Sequence, residues 1–248
     1  MHKLISELRR LYLLDNQELD EAVFAQHLRG EQTCVVDLAD ALGSARALVI
    51  DFHQRADGQH WERVRDVANA LQSELGLPAP AISVSGARSY RLWLSLDTTI
   101  SAAQAEEFQV LLHEAYFADE QIDIARTVVE LPPCLHQASK LWAAFINPGM
   151  GASFAEELGL EMPAPLAAQA AFLEGLRSTT AAEFSHALSQ LQKKYDVAPV
   201  APMAAQAPSP RPDKTPAGLL LKDATLEEIV QLLHERNIEP TFRHLVPK

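Results

Sequence analysis

At 248 residues, with 48% hydrophobic and 22% charged side chains, the chain can build one large domain or two small ones around a substantial core. Its formal charge of −12 lies wholly on residues 1–196, which hold 15 basic and 27 acidic side chains, while residues 197–248 hold six of each. Sequence-independent affinity for nucleic acid comes from neutralising phosphates, so this balance excludes a generic nucleic-acid binder and leaves room only for a local contact.

In chain order, residues 2–14 and 18–29 are predicted helices. Leu4, Leu8, Leu11 and Tyr12 share a face of the first, and Leu19, Val23, Phe24 and His27 share a face of the second. Asp15 with Glu18 resembles a capping box for the second helix, which Gly30 would end. Residues 33–42 read as a strand followed by a turn. A hydrophobic strand over 47–52 ends in an acidic residue. It leads to a helix near 59–75, with Trp61, Val64, Val67, Ala68, Leu71 and Leu75 at helical spacing and Gly76 and Pro78 closing it. A strand over 81–85 runs into a small polar turn at 86–89. Residues 90–96 then alternate strictly, with Tyr90, Leu92, Leu94 and Leu96 on one face and Arg91, Trp93 and Ser95 on the other. That alternation suits a sheet with one well-buried face.

Ser101 and Gln104 form a predicted capping box for a helix to about Phe117. Residues 122–131 read as a strand (Ile122, Ile124, Val128, Val129) stopped by Pro132-Pro133, and 141–147 as a short strand before a turn at Asn147–Gly151. Helices follow over 153–158, 164–176 and 181–195, the last capped by Thr180 with Glu183. Residues 197–217 hold six of the chain's 15 prolines and form a semi-rigid linker. In the tail, 218–248, Thr225 and Glu228 cap a short amphipathic helix. About 30 residues are too few for an independent core. Residues 218–245 are therefore expected to dock on the body or to serve a protein partner or a second copy. The expected body is α+β over 1–196, with a strand–helix–strand–helix–strand core at 47–147 flanked by helices.

Two well-separated cysteines, Cys34 and Cys134, and no basic-then-apolar opening segment predict free thiols in a reducing, cytoplasmic setting. No apolar run approaches the ~20 residues needed to span a bilayer, so no membrane partner is expected. Cys-x-x-Cys, His-Glu-x-x-His, Walker-type loops and Gly-x-Ser-x-Gly elbows are all missing from the sequence.

Three places in the core carry a likeness to a known family. The strand Leu48-Val49-Ile50-Asp51-Phe52-His53 ends in a carboxylate. The turn Ser85-Gly86-Ala87-Arg88-Ser89 enters the strand Tyr90-Arg91-Leu92-Trp93, and Ile122-Asp123 pairs a hydrophobic residue with a third acid. This stretch resembles the archaeo-eukaryotic primase (primase-polymerase) superfamily over roughly Ala47–Asn147. The resemblance implies a primase-like mixed sheet, Asp51 and Asp123 as metal ligands or catalytic acids for one divalent ion (Mn²⁺ or Mg²⁺), and Ser85, Arg88 and Arg91 as phosphate contacts to nucleotide or DNA. Leu131-Pro132-Pro133-Cys134-Leu135-His136, leading to Trp142–Ile146, is similar to a Pro-rich segment of members from mobile elements.

The departures from the family pattern are chemical. His53, a third candidate metal ligand, stands where the second metal carboxylate belongs, and Arg91 stands where a phosphate-binding histidine belongs. Imidazole removes one negative charge and favours softer metals. Arg91 still suits phosphate but cannot move a proton. The expected function is accordingly a degenerate primase-polymerase-like protein with a nucleotide- or DNA-binding or accessory role in replication or transfer. An acidic interaction module acting through its tail, and a Mn²⁺-dependent nuclease or nucleotidyl-transfer enzyme, are the alternatives. Each site residue also has a plainer role open to it: Asp51 as a turn cap, His53 as a loop residue, Arg88 and Arg91 paired with acids on a strand face, Asp123 as acidic surface, and Trp93 and Trp142 as packing.

Overall fold

The structure, a computed structural model, describes residues 1–17, 19–120 and 126–195, all within the first of the chain's two compact units, Met1–Pro199. The expected contributions of Glu18, Ile122, Asp123 and Ile124, the 197–217 linker and the 218–248 tail lie outside the described residues.

Helices α1 (His2–Tyr12) and α2 (Glu21–Leu28) open the fold. Asp20 caps α2, its carboxylate accepting the Ala22 and Val23 amides at 2.8 and 3.0 Å, whereas Asp15 pairs with Arg46. The cap was expected at Asp15; the carboxylate two and three residues before the free amides of the first turn is the one that reaches them. Strand β1 (Val35–Asp37) precedes β2 (Ser44–His53), α3 (His60–Ser73), β3 (Ala81–Val84) and β4 (Ser89–Ser101). Helix α4 (Ala102–Tyr116) carries the predicted capping box, with Ser101 and Gln104 satisfying each other's amides. Then come β5 (Val128–Glu130), β6 (Cys134–Leu135), β7 (Trp142–Ile146), a 3₁₀ helix (Pro148–Phe154), α5 (Leu166–Glu174) and α6 (Ala181–Tyr195).

Five strands form one sheet in the order β2-β4-β3-β7-β6, and β1 pairs with β5 in a separate two-stranded ribbon. The α+β class is as expected, but every ladder of the large sheet is antiparallel, where a mixed sheet was anticipated. The reason lies in connectivity. Strands β2 and β3 run the same way around the α3 crossover, but β4 folds back between them and separates the pair.

Both faces of the sheet are buried, not one. Leu48, Ile50, Phe52, Leu92 and Leu94 pack under α3, α4 and α6 (Trp61, Leu71, Phe108, Phe184). Val49, Ala81, Trp93 and Phe145 pack under α1, α2, α5 and the β1/β5 ribbon (Leu8, Phe24, Leu173, Val36). Arg91, Trp93 and Ser95, expected on the open face, are therefore covered: a second helical layer, built largely from residues before 30 and after 164, lies over them.

Where a helix over 153–158 was expected, a 3₁₀ helix ends at Phe154. Asn147 caps its start through the Gly149 amide, at 2.8 Å. Gly151 is fixed by packing, since a Cβ there would lie 2.0 Å from the Trp61 ring, and its carbonyl accepts the Tyr90 hydroxyl at 2.7 Å.

Candidate functional site: a buried carboxylate held by two arginines

Antiparallel register places the chemistry. On one face of the sheet, Val49, Trp93 and Ala81 form an apolar row, and the next row is Asp51, Arg91 and Ser83. The row beyond pairs His53 with Ser89. The polar rows thus begin where the α1–α5 layer's apolar contacts end.

Asp51 is 6% exposed and Arg91 is 9% exposed. Arg91 Nε donates to Asp51 Oδ1 at 3.0 Å, and Ser89 Oγ donates to the same oxygen at 3.3 Å. Arg126 Nη2 donates to Asp51 Oδ2, so both carboxylate oxygens face guanidinium groups. The other arm of Arg91, Nη2, meets Glu130 of β5 at 2.7 Å. Two acids and two arginines balance. Burial works against the charge of Arg91, but Asp51 and Glu130 outweigh it and its pKa rises further. Burial likewise works to protonate Glu130, and Arg91 overrides it, holding that carboxyl below its usual range. Arg91 Nη1 is buried without a hydrogen-bond partner among the described residues.

The turn after β3 is built by its own side chains. Ser85 Oγ accepts the Ala87 and Ser89 amides, both at 3.1 Å. Gly86 has φ +70°, and a Cβ there would stand 2.7 Å from the Leu141 carbonyl, so the turn needs glycine on both counts. Arg88 is exposed at its tip, forms no ion pair among the described residues, and offers its carbonyl to the Gln54 amide at 2.7 Å.

His53 is exposed at the end of β2 and lines an open cavity of about 570 Å³ with Arg55, Asp57, Asp119 and Glu120. Those acids are themselves occupied: Arg55 reaches Glu120 at 2.8 Å and Asp57 at 3.2 Å, and Arg63 reaches Asp119 at 2.6 Å. Among the described residues no group of three or more His, Cys, Asp or Glu side chains is placed to hold a metal. A divalent pair needs several free oxygen ligands. Asp51 alone, with both oxygens on guanidinium groups, does not fit that requirement.

Of the residues singled out in the sequence, the fold joins Asp51 to Arg91, sets His53 one row away, and leaves Arg88 in solvent; Asp123 lies outside the described residues. Arg126 and Glu130 were not foreseen. The one signal for them was a requirement: a carboxylate and a guanidinium paired inside an apolar sheet leave surplus hydrogen-bonding capacity that further charges must meet.

No protein-family profile matches the sequence, and no curated protein matches it. Among the solved structures similar to this fold are two domains. One is the AEP domain of the primase-polymerase of cyanophage S-2L, at 16% identity and a TM-score of 0.37, covering 60% of this chain and 92% of that one. The other is the polymerase domain of Mycobacterium tuberculosis Ligase D in complex with DNA, at 16% identity and a TM-score of 0.35. That match covers 66% of this chain, which spans 59% of the Ligase D structure.

Proposed function

We propose that this chain is a primase-polymerase-like protein that has exchanged metal-dependent synthesis for a nucleotide- or DNA-binding or accessory role in the replication or transfer of a mobile element. The observation behind this reading is the state of Asp51: guanidinium groups stand on both oxygens that a divalent ion would use. Arg91 has two of its three nitrogens engaged and the third buried, so its phosphate-binding capacity is spent within the fold. Arg88, exposed on a rigid turn, is the phosphate contact that remains. On a body of this acidity the contact is local and weak, and a single phosphate contact gives it a shallow dependence on salt.

The test combines calorimetry with Mn²⁺ and a nucleoside triphosphate, anisotropy of a short single-stranded DNA at low salt, and primer extension. The expected result is no extension with Mg²⁺ or Mn²⁺, with nucleotide or DNA binding that survives chelation and drops at least tenfold in Arg88→Glu. Extension or Mn²⁺-dependent cleavage lost in Asp51→Asn would overturn the reading in favour of a metal enzyme. Binding indifferent to Arg88→Glu would shift attention to protein partners of residues 218–245.

A further inference from the structure

β2 is the outermost strand of the large sheet, and beside its residues Ala45–Val49 lies a cavity of about 270 Å³. Its walls are small and apolar, with Ala39, Ala45 and Ala47 on the strand side and Ala102 and Ala105 on α4. Such walls give water few partners, and space of this kind favours an apolar guest. At ~30 Å³ per water-sized unit the cavity takes roughly nine such units, about the bulk of an eight-carbon chain with a small head group.

The cavity's polar side chains are Glu106, Gln109, Arg126 and Thr127. Glu106 is exposed, so solvent screens its charge. Gln109 is buried, with its amide nitrogen directed at the Ala105 carbonyl at 3.4 Å. Arg126 is the half-buried cation of the cavity, its side chain 18% exposed. It makes one hydrogen bond among the described residues, from Nη2 to Asp51. A guanidinium has five N–H donors in a planar fork, so Arg126 can take a second oxyanion without leaving Asp51.

We propose that this cavity binds a small apolar molecule ending in an oxyanion, carboxylate or phosphate, with the chain against the alanine walls and the oxyanion on Arg126. The site is separate from the Arg88 turn and goes beyond the function proposed above, so either can fail without the other.

The test uses the full chain and four probes of equal length: octanoate, octyl phosphate, 1-octanol and octylamine. Calorimetry and thermal unfolding are the readouts. The two anions should bind and raise the unfolding temperature, the tighter one identifying the head group, while octylamine binds at least tenfold more weakly. Ala102→Phe fills the cavity from its α4 wall and should abolish binding of all four probes. Arg126→Gln should weaken the anions at least tenfold and leave 1-octanol unchanged, and the octanol result also reports that the variant is folded. Octylamine binding as tightly as octanoate, anion affinity unchanged in Ala102→Phe, or no binding by any probe would each overturn the proposal.

Discussion

Asp51 lies in an apolar strand with 6% of its surface exposed, and three donors converge on its carboxylate. A buried charge pair is weak evidence of net stabilisation, but removing one partner strands the other and typically costs ~3–5 kcal/mol. Asp51→Asn should therefore lower unfolding stability by about that amount in a urea titration. A solvated metal ligand with nothing on it would lose almost nothing on the same change. Asp51→Leu combined with Arg91→Met should cost clearly less than the sum of the two single changes, because the second removes the charge stranded by the first. Additive costs would mean that the two side chains are not coupled. At this scale the sequence was half legible. Residue types marked Asp51 and Arg91 as special, but their partnership depends on a register between strands 40 positions apart, and Arg126 and Glu130 arrive from a third segment with no local pattern to announce them.

Elements whose signals are local were read well from the sequence, and those whose form depends on distant contacts were not. The Ser101–Gln104 box starts α4, and Thr180 with Glu183 starts α6 through reciprocal bonds of 2.8 to 3.2 Å. Arg177 and the Thr180 amide together draw the Glu183 pKa down to about 2. The 3₁₀ segment departed from expectation because Gly151 must meet Trp61, 90 positions away in the chain, and no local pattern encodes that contact. Helix α2 shows the same division. His27, foreseen only as part of an apolar face, is fully buried and joins three segments. Its Nδ1 accepts the Cys34 amide at 2.8 Å, which fixes the proton on Nε2, and Nε2 donates to the Leu131 carbonyl at 2.8 Å. Burial lowers its pKa from the ordinary value of about 6.5, more than its bonds to carbonyls raise it. Above pH ~6.5 the folded and unfolded chains both carry neutral His27, and its contribution to stability is complete. As pH falls below that value the unfolded chain takes up the proton first, so stability declines toward the lower, folded pKa. Chemical denaturation between pH 7.5 and 5 should show this decline, and His27→Gln should flatten it. An unchanged slope in the variant would assign the decline to other groups.

The whole molecule is a sheet between two apolar layers that do not merge: α3, α4 and α6 on one side, and α1, α2, α5 and the β1/β5 ribbon on the other. Strands β2, β3, β4 and β7 contribute to both, and β4 and β3 lie inside the sheet with strands on either side. Native-state hydrogen exchange should find their amides the most protected, with the two helical layers opening in separate steps as urea rises. A single common opening for all helices would show that the sheet couples the layers fully. Because His27 ties α2 to the segments flanking the ribbon, mild acid is expected to loosen the second layer before the first. What remains after that layer lifts is half a protein, with Val49, Trp93 and Phe145 facing water across the middle of an ordered sheet. Such a face is adhesive. Below neutral pH the protein is therefore expected to self-associate through a partly open form that is still mostly folded, with the His27 imidazole, bonded to the residue next to Glu130, as one trigger.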